Sequence, residues 1–204
     1  MEQEGQASNI PQPLMVAPPP GDPLVLGLGS FVAGATAVGF FLTDVLSTGF
    51  YFLPITIGSS FLGLLIATLW AARLGQTFVA AVTGLFMSFW ASLGILGFAL
   101  FHGWFGEAGP DTLAAYYWTW TIVIGLLTIA ALRLPLLFVL LIGGVALTLA
   151  ILALGASDAA DTGLEKLAGY VLWASDLVGV ILFLGAGSVS LGGKGMSAGP
   201  VLVK

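Results

Sequence analysis

Charges stand along this chain as isolated fences, and the intervals between them are long, apolar and uncharged. Pro23–Thr43 is closed by Asp44, Val45–Ala72 by Arg73, and Leu74–Gly106 ends in a His-Gly-Trp-Phe-Gly turn before Glu107. Thr112–Leu132 is closed by Arg133, Leu134–Ser157 follows, and Leu167–Gly193 is broken only by Asp176. A helix of about 20 residues crosses the ~30 Å hydrocarbon core of a bilayer, so each interval predicts one transmembrane helix. Barrel strands would show segments of about ten residues alternating between apolar and polar; these runs are continuous instead. Short connections make consecutive helices antiparallel neighbours. The expected architecture is an all-α bundle of six transmembrane helices over 23–193, with a tail at 1–22 and a short C-terminal tail at 194–204.

Composition sharpens this picture. The chain of 204 residues is 58% hydrophobic and 7% charged, where a soluble domain carries about 25% charged residues. So few charges cannot solvate the surface of a soluble enzyme. Five Lys and Arg against ten Asp and Glu leave no basic footprint for nucleic acid. Cys is absent, which removes disulfides and thiolate chemistry. No paired carboxylates, metal-ligand cluster or nucleophile with a base can be found, so neither an enzyme, a metal nor a cofactor is expected. The expected partner is the lipid bilayer. Residues 1–23 hold six of the ten prolines and no Lys or Arg, unlike a signal peptide, and read as an extended, mobile tail.

Orientation follows from the cations. Arg73, Arg133, Lys194 and Lys204 fall on the side shared by both termini, and Asp44, Glu107, Asp111, Asp158, Asp161 and Glu165 on the other, with Lys166 the exception. The positive-inside bias predicts cytoplasmic termini and insertion in the plasma or inner membrane.

Within lipid, helices associate by close packing, so small residues mark contact faces. Helix two carries Ser59, Gly63, Ala67 and Ala71, and helix three Ala80, Gly84, Ser88 and Ser92, each four apart. Helix one offers Ser30/Gly34 and Ala35/Gly39, and helix six Ser175/Gly179. Asp176 is the sharpest polar signal, because a carboxylate near mid-membrane is expensive and such residues face the bundle interior. It marks a proton or solute path, or else donates a hydrogen bond to a neighbouring helix. Lys and Arg are absent from the spans, which disfavours tight binding of a naked anion. Hydroxyls such as Thr77, Thr83, Ser88, Thr119 and Thr121, with Tyr116 and Tyr117, are the polar groups left for a solute, although such hydroxyls also bond their own helix. His102, beside Trp104 and Phe105, reads as an interfacial anchor.

Helices one and three resemble the acetate uptake transporter family, which includes bacterial succinate–acetate permeases. That family opens helix one with Asn-Pro-Ala-Pro-Leu-Gly-Leu; here the chain reads Asp22-Pro23-Leu24-Val25-Leu26-Gly27-Leu28. The family's Gly-Asn-Thr-Phe and Tyr-Gly-Ser-Phe-Trp are matched by Gly75-Gln76-Thr77-Phe78 and Phe86-Met87-Ser88-Phe89-Trp90. Six spans and a length near 200 also match. The resemblance implies a hexamer in which each protomer encloses its own pore, narrowed by three apolar side chains. Carried over by motif position, these are Phe31, Phe86 and Val145. The departures are a missing Gln in helix two, Ile181 near an expected Tyr, Asp176 at a position usually small and neutral, and Phe86 where the family has Tyr.

These readings predict a channel or transporter for small monocarboxylates, acetate and by extension succinate, working passively or linked to protons. An apolar constriction dewets, and a carboxylate must shed water to enter it. A channel for a small neutral solute such as urea, and a non-transporting accessory subunit of a membrane complex, stay open beside it.

Overall fold

The computed structural model describes residues 21–46, 49–104, 106, 109–157 and 162–203. Residues 1–20 of the Pro-rich tail, Phe105, Glu107, Asp158, Asp161 and Lys204 lie outside the described residues. Six helices long and apolar enough to cross a membrane make up the described chain, as the charge fences predict. The α-helices are α1 (Pro23–Thr43), α2 (Leu62–Arg73), α3 (Thr77–Phe101), α4 (Pro110–Ala130), α5 (Leu136–Ser157) and α6 (Thr162–Ser190), the second span running Ile55–Arg73 with α2 as its latter part. The protein is an integral membrane protein.

Local chemistry sets several helix ends. The Asp22 carboxylate accepts from the Leu24 N–H at 2.9 Å, which caps α1 just ahead of Pro23, whose missing N–H is no loss at a first position. At the other end, Asp44 terminates α1 in the left-handed region, φ 55°. The second span is not the single α-helix expected from Val45. A 3-10 turn at Gly49–Phe52 and a π-helical segment at Ile55–Phe61 precede α2. Pro54 between them lacks an N–H and its ring clashes with the preceding turn, and the wider π geometry takes up the misfit. The sixth span starts at Thr162, five residues before its apolar interval, with Glu165 and Lys166 inside it. Charge ends hydrophobicity without ending a helix.

The helices form a ring. α1 packs on α6 and on the α2 span, α5 lies between α4 and α6, α3 lies on α2, and the ring closes most thinly between α3 and α4. Small residues hold it tight. A Cβ added at Gly63 would overlap Ser30 Oγ, and one at Gly144 would overlap Ser175 Oγ, while Ala67 and Ala71 are fully buried. Among the described residues, side-chain hydrogen bonds cross between helices from Thr68 to Thr83 at 2.9 Å, between Ser92 and Tyr116 at 2.9 Å, and from Thr36 to Asp176 at 2.6 Å. In lipid such a bond contributes about 0.6–2 kcal/mol.

After α6 the chain does not leave the bundle. Residues 191–203 fold back along the start of α5, where the Leu136 and Leu137 N–H groups donate to the carbonyls of Pro200 (2.9 Å) and Ala198 (3.0 Å). The Val203 N–H donates to Leu132 O at 3.2 Å.

Candidate functional site

The ring encloses an apolar cavity of about 210 Å³. It begins at mid-bundle beside Phe31, Trp90 and Val145 and runs to Phe52, Leu100, Leu113 and Leu152. These last residues lie near the ends of α1, α3 and α5 and the start of α4, so the cavity occupies the half of the bundle away from the terminal face. Its wall carries no charged side chain, and its hydroxyls are those of Tyr117 and Thr148. Thr148 already donates to Gly144 O at 2.9 Å. A space of this kind accepts an apolar body with one small polar end.

Phe31 lines the inner end of the cavity, and the Phe86 ring stands edge-to-face against it at 5.3 Å between centroids. Phe86 sits one turn before Trp90 on α3, so it lies on the terminal side of that contact. The Trp90 ring meets Phe31 at 6.2 Å and closes a three-ring cluster. Phe31, Phe86 and Val145 are 4%, 3% and 2% exposed, so none of them faces lipid. At the level of Phe31 the helices are in contact: a Cβ at Gly179 would lie 3.3 Å from Val32 Cγ2 and 3.5 Å from Phe31 Cδ1 and Leu141 Cδ1.

The polar candidates sit elsewhere. Thr83 is buried on the α2–α3 seam, bonded to Thr68 and to its own helix at Val79 O, 2.8 Å away. Ser88 is exposed and donates to Gly84 O at 2.9 Å. Thr77 begins α3 at the surface. Asp176 lies on the α1–α6 seam, where Thr36 donates to Oδ2 while the enclosed Oδ1 has no partner among the described residues. None of these four lines the cavity. The Asp22-Pro23 cap stands at the terminal end of α1. Within Leu26-Gly27-Leu28 it is Gly27 that matters most for packing, since a Cβ there would press Thr83 Cγ2 at 3.1 Å and Ala67 Cβ at 3.6 Å. His102 caps α3 in an exposed ring cluster with Phe98 at 4.4 Å and Trp104 at 5.7 Å.

Sequence reasoning passed over the Trp90 indole. Trp90 is 1% exposed, and its Nε1–H has no partner among the described residues; nor has Ser60 Oγ in the neighbouring π-helical segment. Both approach Gly34, where a Cβ would overlap Ser60 Oγ and lie 3.0 Å from Trp90 Cζ2. Buried unpaired polar groups are uncommon in folded proteins. The Phe-Trp pair after Ser88 was the available signal, but an indole N–H left without an acceptor is not a property that spacing reveals.

No family model matches the sequence, and no curated protein matches it. Among solved structures, the chain superposes on the structure of the bacterial acetate channel SatP with a TM-score of 0.76 and 18% identity, over 89% of this chain and 98% of that one. Its six-helix membrane fold is therefore the fold of that bacterial acetate channel.

Proposed function

We propose that the protein is a membrane channel for small monocarboxylates, acetate first among them, which cross one at a time through each protomer. The observation that carries this reading is the charge-free cavity that stops at Phe31 in a fold shared with an acetate channel. Phe31, Phe86 and Val145 form the constriction. An unhydrated apolar neck raises the barrier for an ion far more than for a neutral molecule, so the protonated acid is the favoured species and flux is linked to protons through the solute itself. The Asp176–Thr36 pair tunes the α1–α6 seam that backs Phe31 and has no contact with the solute. The protein works as a homo-oligomer, a hexamer by its resemblance, with cytoplasmic termini in the plasma or inner membrane.

Proteoliposomes loaded with the purified protein test the reading. Labelled acetate uptake should exceed that of empty liposomes and rise as external pH falls toward the carboxyl range. Equal uptake by empty liposomes removes the proposal. Swelling in a urea gradient with none in acetate would transfer the pathway to neutral solutes, a result that the uncharged wall also allows. Purification with one defined foreign partner and no flux would instead identify an accessory subunit.

A further inference from the structure

A second cavity, of about 230 Å³, lies at the terminal face on the α1–α5–α6 seam. Its walls are Leu24 from α1, Phe138 from α5, and Leu182 and Ala186 from α6, with the capping Asp22 at its edge, one carboxylate oxygen already accepting from the Leu24 N–H. Each of these wall residues stands one or two helical turns from the layer of Phe31, Leu141 and Gly179. Leu24 and Leu28 precede Phe31 on α1, Phe138 precedes Leu141 on α5, and Leu182 follows Gly179 on α6. Residues one turn apart share a helix face, so a packed row of core side chains, Leu28, Phe31, Leu141 and Leu182, separates the two cavities. The second cavity lies on the terminal side of Phe31, displaced to the α1–α5–α6 seam.

Part of its wall comes from outside the helices. Gly195, Met196, Ser197 and Ala198 of the folded-back segment close it. Ala198 packs on the core, whereas Met196 is half-exposed. The segment is held by the backbone bonds to Leu132, Leu136 and Leu137 and by Ser188 Oγ donating to Lys194 O at 2.8 Å. Its start reads Leu191-Gly192-Gly193-Lys194-Gly195, with Gly192 at φ +80°. Gly rotates freely about φ where other residues do not. An exposed strip with few buried side chains belongs to the parts of a protein that open first.

We propose that the second cavity is the terminal-side vestibule of the same pathway, holding small monocarboxylic acids, and that residues 191–203 are its hinged lid. This inference rests on the conduction reading above. With the segment docked, the vestibule is covered at the terminal face; rotation about Gly192–Gly195 uncovers it and frees the amides of Leu136 and Leu137.

Because the chain has no Cys, a tether is clean to build. Pro135 and Val201 form an antiparallel bridge, whose Cα atoms stand about 4.5–5.5 Å apart, within disulfide range. In the Pro135→Cys/Val201→Cys protein, oxidation should reduce acetate uptake by about fivefold or more and dithiothreitol should restore it, with each single variant insensitive to both. Deleting residues 194–204 should raise uptake. A second readout needs no flux: Ala186→Cys should react with a water-soluble methanethiosulfonate about fivefold faster in the deleted protein than in the full chain. Size-exclusion elution confirms that each variant is folded. If the wild type conducts acetate, yet uptake ignores a verified crosslink and labelling ignores the deletion, the lid is wrong. If labelling responds while no variant conducts, the lid stands and the conduction reading fails.

Discussion

The two halves of the bundle, divided at Phe31, are built differently. Toward the loop face, large side chains such as Phe41, Phe52 and Leu149 stand back around an open cavity. Toward the terminal face, Gly27, Ala67 and Thr83 bring α1, α2 and α3 into direct contact, and open space lies at seams instead, under the folded-back segment between α1, α5 and α6 and beside Val25, Trp70 and Phe183. Bulky residues splay helices and small ones draw them together. On the proposed conduction reading, the barrier to a solute is at Phe31 and the loop half is its access.

That contrast can be broken most severely by filling the open half. Leu149→Trp places an indole in a cavity of about 210 Å³ and should cut acetate uptake about tenfold or more, since displaced solute has no second route. Uptake within error of wild type would mean that the cavity is not on the path. Next comes the divide itself. Phe31→Ala removes the ring between the two halves and should raise uptake several-fold, while thermal stability falls by about 3 kcal/mol or more for the void left behind. Phe86→Ala should act in the same direction but less, because Phe86 backs Phe31 without lining the cavity.

A smaller effect is expected at Trp90. Trp90→Phe keeps a ring but deletes an enclosed N–H that has no partner among the described residues, so the melting temperature should stay level or rise. A clear fall in stability would show that the indole is bonded in the membrane. Asp176→Asn preserves an oxygen to accept from Thr36 and should change uptake by less than about twofold with the pH profile unshifted. A displaced profile would assign proton transfer to this carboxyl. The smallest response belongs to Ser88→Ala, an exposed hydroxyl bonded to its own helix; uptake should match wild type within error.

Much of this was legible from residues alone, and the reason is the solvent. In a bilayer every charge is expensive, so Asp44, Arg73 and Arg133 mark the limits of spans whatever the tertiary packing. The same rule located the aromatic candidates only through motif resemblance, and it misjudged helix boundaries at Pro54 and Thr162, where backbone sterics and water-exposed turns decide. It also drew attention to hydroxyls. Thr77, Thr83 and Ser88 lie on helix three at positions that a sequence cannot orient, and in the fold they turn to α2 or to the surface while Thr148 and Tyr117 reach the cavity.

Hydropathy and charge thus determined the class of protein, the number of crossings and the small-residue faces, because those quantities depend on composition along one segment at a time. Tertiary structure alone decided that Phe31 and Phe86 meet, that open space lies on one side of them, that Asp176 pairs with Thr36, and that residues 191–203 return to α5. Each of these is a relation between segments far apart in the chain, and it depends on helix rotation about its own axis, which a continuous apolar run leaves free until neighbours pack against it.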